Sequence, residues 1–239
     1  MKFIPALCVA TLCAPLPTYA ADIGHDLDLS LWVNAASDYR SYGASISQKN
    51  PAIQGFAQLT HTSGVFLGLW GSNVDFGTKT RLETGYQLGY MHSFNDDLSF
   101  MANIARYEYP KESSADATEI YAEINYKNFK AGMFYDYEID NHIPNQFSRF
   151  LGYTVPLPFE VKWYTKLEYN DFNYDFYDSH GNSRQGYYDW ELKLSKTMLG
   201  VDWSVSYVDT DLSKTECETS WGHRDTCSAG VVFQASKQF

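Results

Sequence analysis

Long apolar runs are missing from this sequence. Past residue 20, no uninterrupted apolar stretch reaches the roughly eighteen residues that a membrane-spanning helix needs, and mean hydropathy is -0.37. Helical membrane spans are therefore excluded. Basic residues are also scarce, at 18 Lys and Arg against 29 Asp and Glu. This balance argues against nucleic acid as a partner.

Cysteine is rare too, with 4 residues in a chain of 239. Cys8 and Cys13 lie in residues 1–20, where a basic residue, an apolar run and a small-residue end follow one another. This layout is typical of a secretory signal peptide, so we expect the mature chain to begin directly after it. Such an exported chain keeps only Cys217 and Cys227. One disulfide between them is expected, and two independent thiols are the alternative.

Aromatic residues, by contrast, are abundant. They make up 17% of the chain, with 19 Tyr and 15 Phe, more than an ordinary core needs. Tyr and Trp favour positions with one apolar and one wet end, as in the two aromatic girdles of an outer-membrane barrel. The surplus therefore favours a barrel in lipid.

Side chains alternate between apolar and polar with a period of two, most clearly at residues 187–210. Trp190 and Leu192 are apolar, whereas Asp189, Glu191 and Lys193 between them are charged. The pattern predicts strands with one apolar face, joined here in an antiparallel hairpin. Periodicity alone fits either an inward apolar face, as in a lipocalin, or an outward one that faces lipid.

Twelve segments share this alternation, and no helical pattern lies between them. They are residues 27–40, 52–62, 64–75, 80–93, 97–108, 117–127, 128–139, 148–157, 159–171, 186–197, 199–211 and 226–239. Each has about the length of a tilted membrane strand, and the count is even, as in a closed bacterial barrel.

The connections between these segments fall into two alternating sets. Short turns follow the even-numbered segments, and mostly longer polar loops follow the odd-numbered ones. This sorting is typical of bacterial outer-membrane barrels and not of lipocalins. We therefore predict an all-β fold in which residues 21–239 form one closed antiparallel transmembrane barrel of about twelve strands. Short turns lie on the periplasmic side, and Trp190, Leu192, Trp203, Val205 and Phe233 face lipid.

Charged side chains dominate the face predicted to line the lumen. They are Asp28, Glu83, Glu119, Glu123, Lys130, Asp136, Glu138, Glu160, Lys162, Lys166, Glu168, Asp189, Glu191, Lys193 and Asp202. Acids outnumber bases, which indicates a weakly cation-favouring path for small hydrophilic solutes; Asp28, Glu83 and Asp202 lie far from the bases and are expected to set the selectivity. The alternative is a set of neutralising cross-strand ion pairs such as Glu160 with Lys193.

Aromatic rings fall on the same face. They are Trp32, Phe56, Phe66, Trp70, Tyr121, Phe134 and Tyr164. In a barrel of twelve strands, between the filled eight-stranded kind and the open porins, so many rings are expected to fill much of the lumen. An apolar binding site inside the lumen is the alternative.

The last residues alternate up to a terminal phenylalanine, Phe239. This end resembles that of outer-membrane proteins, in which the final Phe is read by the barrel assembly machinery. The resemblance implies that machinery and outer-membrane lipid as partners. Lys237 stands where such an end has an apolar residue, and a lysine there can extend to the interface.

The first loop and the hairpin after it carry a family resemblance. The residues are Asp38, Tyr39, Arg40, Gly43, Gly55, Gly64, Trp70, Ser72, Asn73, Asp75 and Phe76. This stretch of about forty residues resembles the TorF family of predicted porins, which implies a solute-conducting outer-membrane barrel. Where the family pattern has a second arginine after Arg40, this chain has Tyr42.

Other functions have weaker signals. His61 and Ser63 share one face of a strand, as in some outer-membrane acyl hydrolases, but at the predicted periplasmic end. The loop from Asp178 to Asn182 has one Asp and no bidentate Glu, so an ordinary polar loop is expected there and not a calcium site. No catalytic residue, metal or cofactor is therefore predicted. A structural or adhesive barrel that does not conduct is a further alternative.

Overall fold

The computed structural model describes residues 21–139 and 143–239, so the predicted signal peptide lies outside the described residues. Twelve long strands make up most of the described chain. They are β1 (Leu27–Ala36), β2 (Ala52–His61), β3 (Val65–Asn73), β4 (Leu82–Asn95), β5 (Leu98–Glu108), β6 (Ala117–Tyr126), β7 (Phe129–Tyr137), β8 (Gln146–Pro156), β9 (Lys162–Tyr177), β10 (Ser183–Met198), β11 (Val201–Thr210) and β12 (Gly230–Gln238).

These strands form one antiparallel sheet that closes on itself. Each strand pairs with its neighbour in the sequence, and β1 pairs with both β2 and β12. At the closing seam Trp32 lies opposite Gln238, and Ala36 lies opposite Gln234. The predicted closed barrel of twelve strands is confirmed. We call the end with the short turns the turn rim and the opposite end the loop rim.

The outer surface of the barrel is apolar. Leu192, Trp203 and Phe233 are 36%, 48% and 61% exposed, and Leu69 and Leu151 reach 64% and 68%. Trp190 and Val205 lie on the same outward face, as their strand positions require. A band of this kind is favourable in lipid and costly in water. The predicted outward direction of these side chains is therefore confirmed.

Strands β9 and β10 are longer than predicted at the loop rim. The expected loop over residues 173–185 is reduced to 178–182. A register shift between Asp171 and Phe176 interrupts the alternation, and Asn173 has a φ of 55°. Phe172 within the shift and Phe176 at its end are both fully buried inside the barrel. The bulge breaks the period of two, so the alternation in the sequence does not predict this extension.

One helix lies in the final loop, residues 211–229, where the sequence pattern indicates none. Helix α1 spans Lys214–Trp221 and begins at Ser213, whose side chain accepts from the backbone of Glu216 while the Glu216 carboxylate accepts from the backbone of Ser213. Gly222 ends the helix with a φ of 77°. A helix of 8 residues with no apolar stripe has too weak a period to detect, but its capping box is readable in the sequence.

The two remaining cysteines form the predicted disulfide. Cys217 in α1 is bonded to Cys227, with an S–S distance of 2.00 Å. Both residues are buried. The bond ties the helix to the segment that leads into β12. Within the described residues, no helix is long and apolar enough to cross a membrane.

Candidate functional site: the barrel lumen

The loop after β1, residues 37–51, folds back into the barrel. We call it L1. Two short pieces, Arg40–Ser41 and Ala44–Ser45, pair within it. The carboxylate of Asp38 organises the loop, because it accepts hydrogen bonds from Arg40 Nε at 2.5 Å and from the hydroxyls of Ser45 and Ser47 at 2.5 Å and 3.1 Å. L1 is thus a preformed unit and not a strand extension, which is why β1 ends at Ala36.

Tyr39 fixes one side of L1 to the barrel wall. Its hydroxyl donates to Glu83 Oε1 at 3.0 Å, the indole of Trp70 donates to the same oxygen at 2.6 Å, and Tyr109 donates to Oε2 at 2.7 Å. Glu83 is 0% exposed. A buried carboxylate without a basic partner is thus satisfied by three neutral donors.

Tyr42 fixes the other side of L1. Its hydroxyl donates to Asp136 Oδ2 on β7 at 2.7 Å, and its backbone carbonyl accepts from the hydroxyl of Tyr187 on β10 at 2.9 Å. Its ring packs edge-on against Phe134 and Phe172, with centroids 6.0 Å and 6.1 Å away. L1 therefore crosses the lumen from one wall to the other.

The final loop covers L1 at the loop rim. Arg40 donates from Nη1 to the backbone carbonyls of Gly43, Thr226 and Ser228 at 3.0 Å, 3.1 Å and 3.0 Å. Trp221 of α1 packs beside Tyr42, with ring centroids 6.4 Å apart. The space left among Ile46, Phe76, Trp221 and His223 has a volume of about 20 Å³, which is room for roughly one water molecule. The loop half of the lumen is closed.

Arg184, at the start of β10, holds the final loop in place. Its guanidinium donates to Glu216 Oε1 at 2.7 Å and to Asp211 Oδ2 at 2.9 Å. Partial burial opposes ionisation of Glu216, but the hydrogen bonds from Ser213 and Arg184 outweigh it and hold the pKa of this carboxyl below its ordinary value. The capped helix is therefore stabilised by an ionised Glu216.

Ion pairs line the half of the lumen nearer the turn rim. Lys130 Nζ lies 3.0 Å from Glu123, and Lys193 Nζ lies 3.1 Å from Glu191. Lys166 contacts Glu168 and lies 3.4 Å from Asp189. Lys130–Glu123 and Lys166–Asp189 join neighbouring strands, whereas Lys193–Glu191 and Lys166–Glu168 lie within one strand, so the predicted cross-strand pairs exist in part. Glu83, Glu119 and Asp136 have no basic partner within the described residues.

Aromatic rings fill the lumen between these charges. Tyr121, Phe134 and Phe150 pack together, with centroids 4.7 Å, 5.7 Å and 6.5 Å apart. On the opposite wall Trp32 stacks on Trp70 at 6.0 Å. The space inside is therefore taken up by side chains and not left as a wide channel.

A family model described as "Bacterial protein of unknown function (Gcw_chp)" matches residues 20–239. The chain belongs to the Gcw_chp family. No curated protein sequence matches it significantly. The more specific TorF resemblance stays a prediction.

Solved porin structures resemble this Gcw_chp protein in fold. The KdgM porin is 10% identical with a TM-score of 0.52, covering 88% of this chain and 98% of that one. The NanC porin is 11% identical with a TM-score of 0.52, covering 87% and 97%. A KdgM porin in complex with disordered oligogalacturonate gives 11%, 0.52, 88% and 98%. At such identities the likeness shows the fold alone, that of an outer-membrane barrel.

The motif predicted from the sequence builds L1 and the wall that receives it. Gly43 has a φ of 74°, and a Cβ there would lie 2.6 Å from Asp189 Cβ, so only glycine fits. Asn73 receives the backbone N–H of Ile53 at 2.6 Å and donates to the carbonyl of Pro51 at 3.0 Å, which fixes the end of L1. Phe76 packs on Tyr109 at 5.3 Å.

The other motif residues in this Gcw_chp protein serve the hairpin. Gly64 closes the β2–β3 turn with a φ of 95°. Ser72 is buried and donates to the carbonyl of Asn73 at 3.1 Å. Gly55 lies on β2 opposite Gly71, and Asp75 accepts the backbone N–H of Gly77 at 2.9 Å. The motif is therefore a structural signature of the inward loop.

Several residues predicted to line the lumen lie elsewhere. Glu160 is exposed in a short 3-10 turn, Pro158–Glu160, so the predicted Glu160–Lys193 pair is wrong, and Lys193 contacts Glu191 instead. Glu138 follows the end of β7 and accepts from Thr118 at 3.3 Å. The short turn, with Phe159 and Glu160 both at a φ of 62°, delays the start of β9 from the predicted residue 159 to Lys162.

Three more of the predicted set lie at the turn rim. Asp28 and Lys162 are exposed near the starts of β1 and β9, and Asp202 is half-buried and accepts from the hydroxyl of Thr197. They share the inward parity of their strands but lie away from the deep lumen. Within the described residues, the deep carboxylates without a base are Glu83, Glu119 and Asp136, and not Asp28 or Asp202.

The weaker sequence candidates form local turns. His61 Nδ1 lies 2.8 Å from Ser63 Oγ and accepts the backbone N–H of Ser63, with both side chains exposed, and the described ion pairs include none at His61. In the loop after β9, the side chain of Asn182 and the backbone N–H groups of His180 and Asn182 donate to Asp178 and lower its pKa. Within the described residues, no three acidic, His or Cys side chains are grouped to hold a metal.

Sequence reasoning missed the inward path of L1. The polar residues 41–51 predict a loop at the outer rim. The available signal was Tyr39 and Tyr42, two large aromatic residues in a polar loop that need apolar surroundings.

Proposed function

We propose that this member of the Gcw_chp family is an outer-membrane channel that passes small hydrophilic solutes, favours cations over anions, and is closed in the conformation described above. The observation that carries the proposal is the excess of deep carboxylates in a porin-type barrel. Glu83, Glu119 and Asp136 have no basic partner among the described residues, while Lys130, Lys166 and Lys193 are paired with acids. Fixed negative charge in a narrow lumen concentrates cations.

The location follows from the same features. An apolar outward band and a signal-like N-terminus suit a barrel in the bacterial outer membrane, with its lipid as solvent. The terminal Phe239 is 52% exposed at the turn rim, where the assembly machinery can reach it. In this orientation the loop rim, with the final loop above L1, faces the cell exterior.

Conduction requires L1 to leave the lumen. The loop is held by the Arg40 bonds to the final loop, by the bonds of Tyr39 and Tyr42 to Glu83 and Asp136, and by the bond from Tyr187 to the Tyr42 carbonyl. Backbone bonds join Ser45 to Thr226 and Asp75 to Ile46. Each is worth about 0.5 to 3 kcal/mol. A loop held in this way suits a channel that opens in only a fraction of molecules.

A barrel that does not conduct is the second candidate. The packed rings and the closed loop half favour it, because a structural barrel needs no path. The two functions differ in one measurement, the current across a planar bilayer that contains refolded protein.

The experiment compares the wild type with Arg40→Gln. Loss of the guanidinium removes the bonds to Thr226 and Ser228, so we expect more frequent and longer openings. Arg81→Gln is the matched control, because Arg81 donates to Thr78 and Thr80 of its own loop and should leave the current unchanged. Reversal potential under a KCl gradient should indicate cation preference.

The absence of current for both the wild type and Arg40→Gln would support the structural barrel. Anion preference would contradict the role given to the carboxylates. An equal rise in current for Arg81→Gln would indicate that any change in the outer loops opens the channel. The bonds of Arg40 would then not be what holds L1 closed.

A further inference from the structure

Glu119 and Asp136 form a buried acidic pair inside the barrel. They are register partners on β6 and β7, each is 1% exposed, and their carboxyl groups lie within hydrogen-bond reach of each other. Tyr42 donates to Asp136 Oδ2 at 2.7 Å. Glu119 Oε2 and Asp136 Oδ1 have no hydrogen-bond partner within the described residues. This pair contrasts with Glu83, on whose two oxygens three donors converge.

Neutral oxygen atoms extend the acidic pair onto β8. Gln146 is the register partner of Asp136, is 1% exposed, and has no described partner for either atom of its amide. Ser148, two residues along the same inward face, is 1% exposed, and its Oγ also has no described partner. Two carboxylates, one amide and one hydroxyl therefore lie along one arc of the wall, and each has at least one buried polar atom for which the described residues offer no hydrogen-bond partner.

Among the described residues, no basic side chain forms an ion pair with Glu119 or Asp136. Lys166, the basic residue on the adjoining stretch of β9, is shared by Glu168 and Asp189. Glu168 also lies close enough to Glu119 and Asp136 to repel both. A buried pair of carboxylates that lacks a counter-charge is unfavourable unless a cation or a proton joins it.

We propose that Glu119, Asp136, Gln146 and Ser148 bind a hard divalent cation of the calcium class. All the ligating atoms are oxygens, the carboxylates carry two negative charges, and calcium tolerates mixed carboxylate, amide, hydroxyl and water ligands in irregular geometry. Only two acids contribute to the site, and the described residues contain no group of three acidic, His or Cys side chains placed to hold a metal. Water must complete the shell, and the affinity falls in the weak range of about 10⁻⁴ to 10⁻³ M.

The cation also acts on L1. Because Tyr42 donates to Asp136, an ion that fixes this carboxylate also fixes the receptor of the loop. Binding therefore favours the closed conformation. The site depends on the closed lumen and not on conduction, so failure of the channel proposal in a bilayer leaves it standing.

Terbium luminescence tests the site directly, because terbium replaces calcium and tyrosine sensitises its emission, and Tyr42 lies at the site. The full mature chain with its disulfide is refolded into detergent with terbium chloride, and the emission is then titrated with calcium chloride. We expect sensitised emission that calcium displaces, and at least tenfold weaker binding in Glu119→Gln/Asp136→Asn. Emission from surface carboxylates should be equal in all variants and is subtracted.

Glu123→Gln is the matched control, since it removes a buried lumen carboxylate that already accepts from Lys130, Tyr121 and Asn125 and that is not among the contacts holding L1. It should bind terbium as the wild type does. If the double variant does not fold, as judged by its heat-sensitive electrophoretic mobility, Gln146→Ala and Ser148→Ala replace it, and each should weaken binding by several-fold. The proposal would be overturned if the wild type showed no emission that calcium displaces, or if the variants bound terbium like the wild type. A shared proton and water would then satisfy the buried carboxylates.

Discussion

Tyr42, in the loop after the first strand, donates its hydroxyl hydrogen to Asp136 on the seventh strand over 2.7 Å. The two residues are 94 positions apart in the sequence, and their contact joins L1 to the barrel wall. The pattern of the resembled family has an arginine at position 42. Here the tyrosine at that position lies at the centre of L1 inside the lumen. The tyrosine reaches a carboxylate as an arginine would, but it leaves the negative charge of the lumen in place.

Tyr42→Phe should therefore loosen L1. A hydrogen bond to a charged group contributes about 1.5 to 3 kcal/mol, so its loss should raise the open-to-closed ratio roughly tenfold or more. The measurement is open probability in planar bilayers. Tyr135→Phe is the control, because Tyr135 accepts from Asn145 on the exposed outer side of the barrel. Unchanged gating in Tyr42→Phe would show that this bond does not hold the closed conformation.

Val205→Arg and Ser204→Arg test the two faces of β11. Val205 pairs with Phe233 on the outward face, whereas Ser204 points inward and donates to Gln234 at 3.2 Å. An arginine on the lipid face near mid-membrane costs about 2 to 4 kcal/mol, so Val205→Arg should assemble far less well. Yield of heat-modifiable barrel from outer-membrane fractions measures this. Equal yields would contradict the assignment of the outward face.

Strand number, register parity and the disulfide were predictable because they depend on local rules. A period of two fixes which side chains share a face, and closure requires an even count in such barrels. The outward positions of Trp203 and Phe233 follow from parity alone. Where parity breaks, as at the bulge before Phe176, the predicted boundary was wrong.

The inward loop and the arrangement of the lumen carboxylates were not predictable in this way. They depend on contacts between distant segments, such as Arg40 with Thr226 and Tyr39 with Glu83. Parity places Asp28 and Asp202 on the inward face but does not give their depth along the barrel. Depth decides which carboxylates lack solvent, and it separates Asp28 at the rim from Glu119 in the interior.

The disulfide should matter to the final loop more than to the barrel. Cys217 and Cys227 are 10 residues apart, and closing so short a loop stabilises by only about 3 kcal/mol in the loop-entropy model. Reduction should speed proteolytic cleavage within residues 211–229 and leave the heat-modifiable mobility intact. The Cys217→Ser/Cys227→Ser variant should behave like the reduced wild type. Loss of the barrel on reduction would show that the bond supports the whole fold.

Acid should release the same loop. The pKa of Glu216 is lower in the folded protein than its ordinary value, because the bonds from Ser213 and Arg184 outweigh the effect of burial. A lowered pKa gives stability that is present above the ordinary carboxyl pKa, about 4.3, and is lost as pH falls through the folded value. The fluorescence of Trp221 should therefore change below about pH 4. Glu216→Gln should show a weaker acid transition, and an identical transition in that variant would assign the change to other carboxyls.

Gly68 and Gly71, on the same strand, test how the lumen rings are accommodated. A Cβ at Gly68 would lie 2.6 Å from Phe56 Cζ and 2.8 Å from Gln87 Cγ, whereas a Cβ at Gly71 would meet nothing closer than the carbonyl of Glu83 at 3.9 Å. The ring of Phe56 thus lies against the wall in space that only glycine leaves. Gly68→Ala should lower the free energy of unfolding by about 1 to 3 kcal/mol through overpacking, and Gly71→Ala should change it little. Urea unfolding in lipid vesicles, followed by tryptophan fluorescence, measures both. A loss as large in Gly71→Ala would mean that glycine at either position serves the backbone and not the ring.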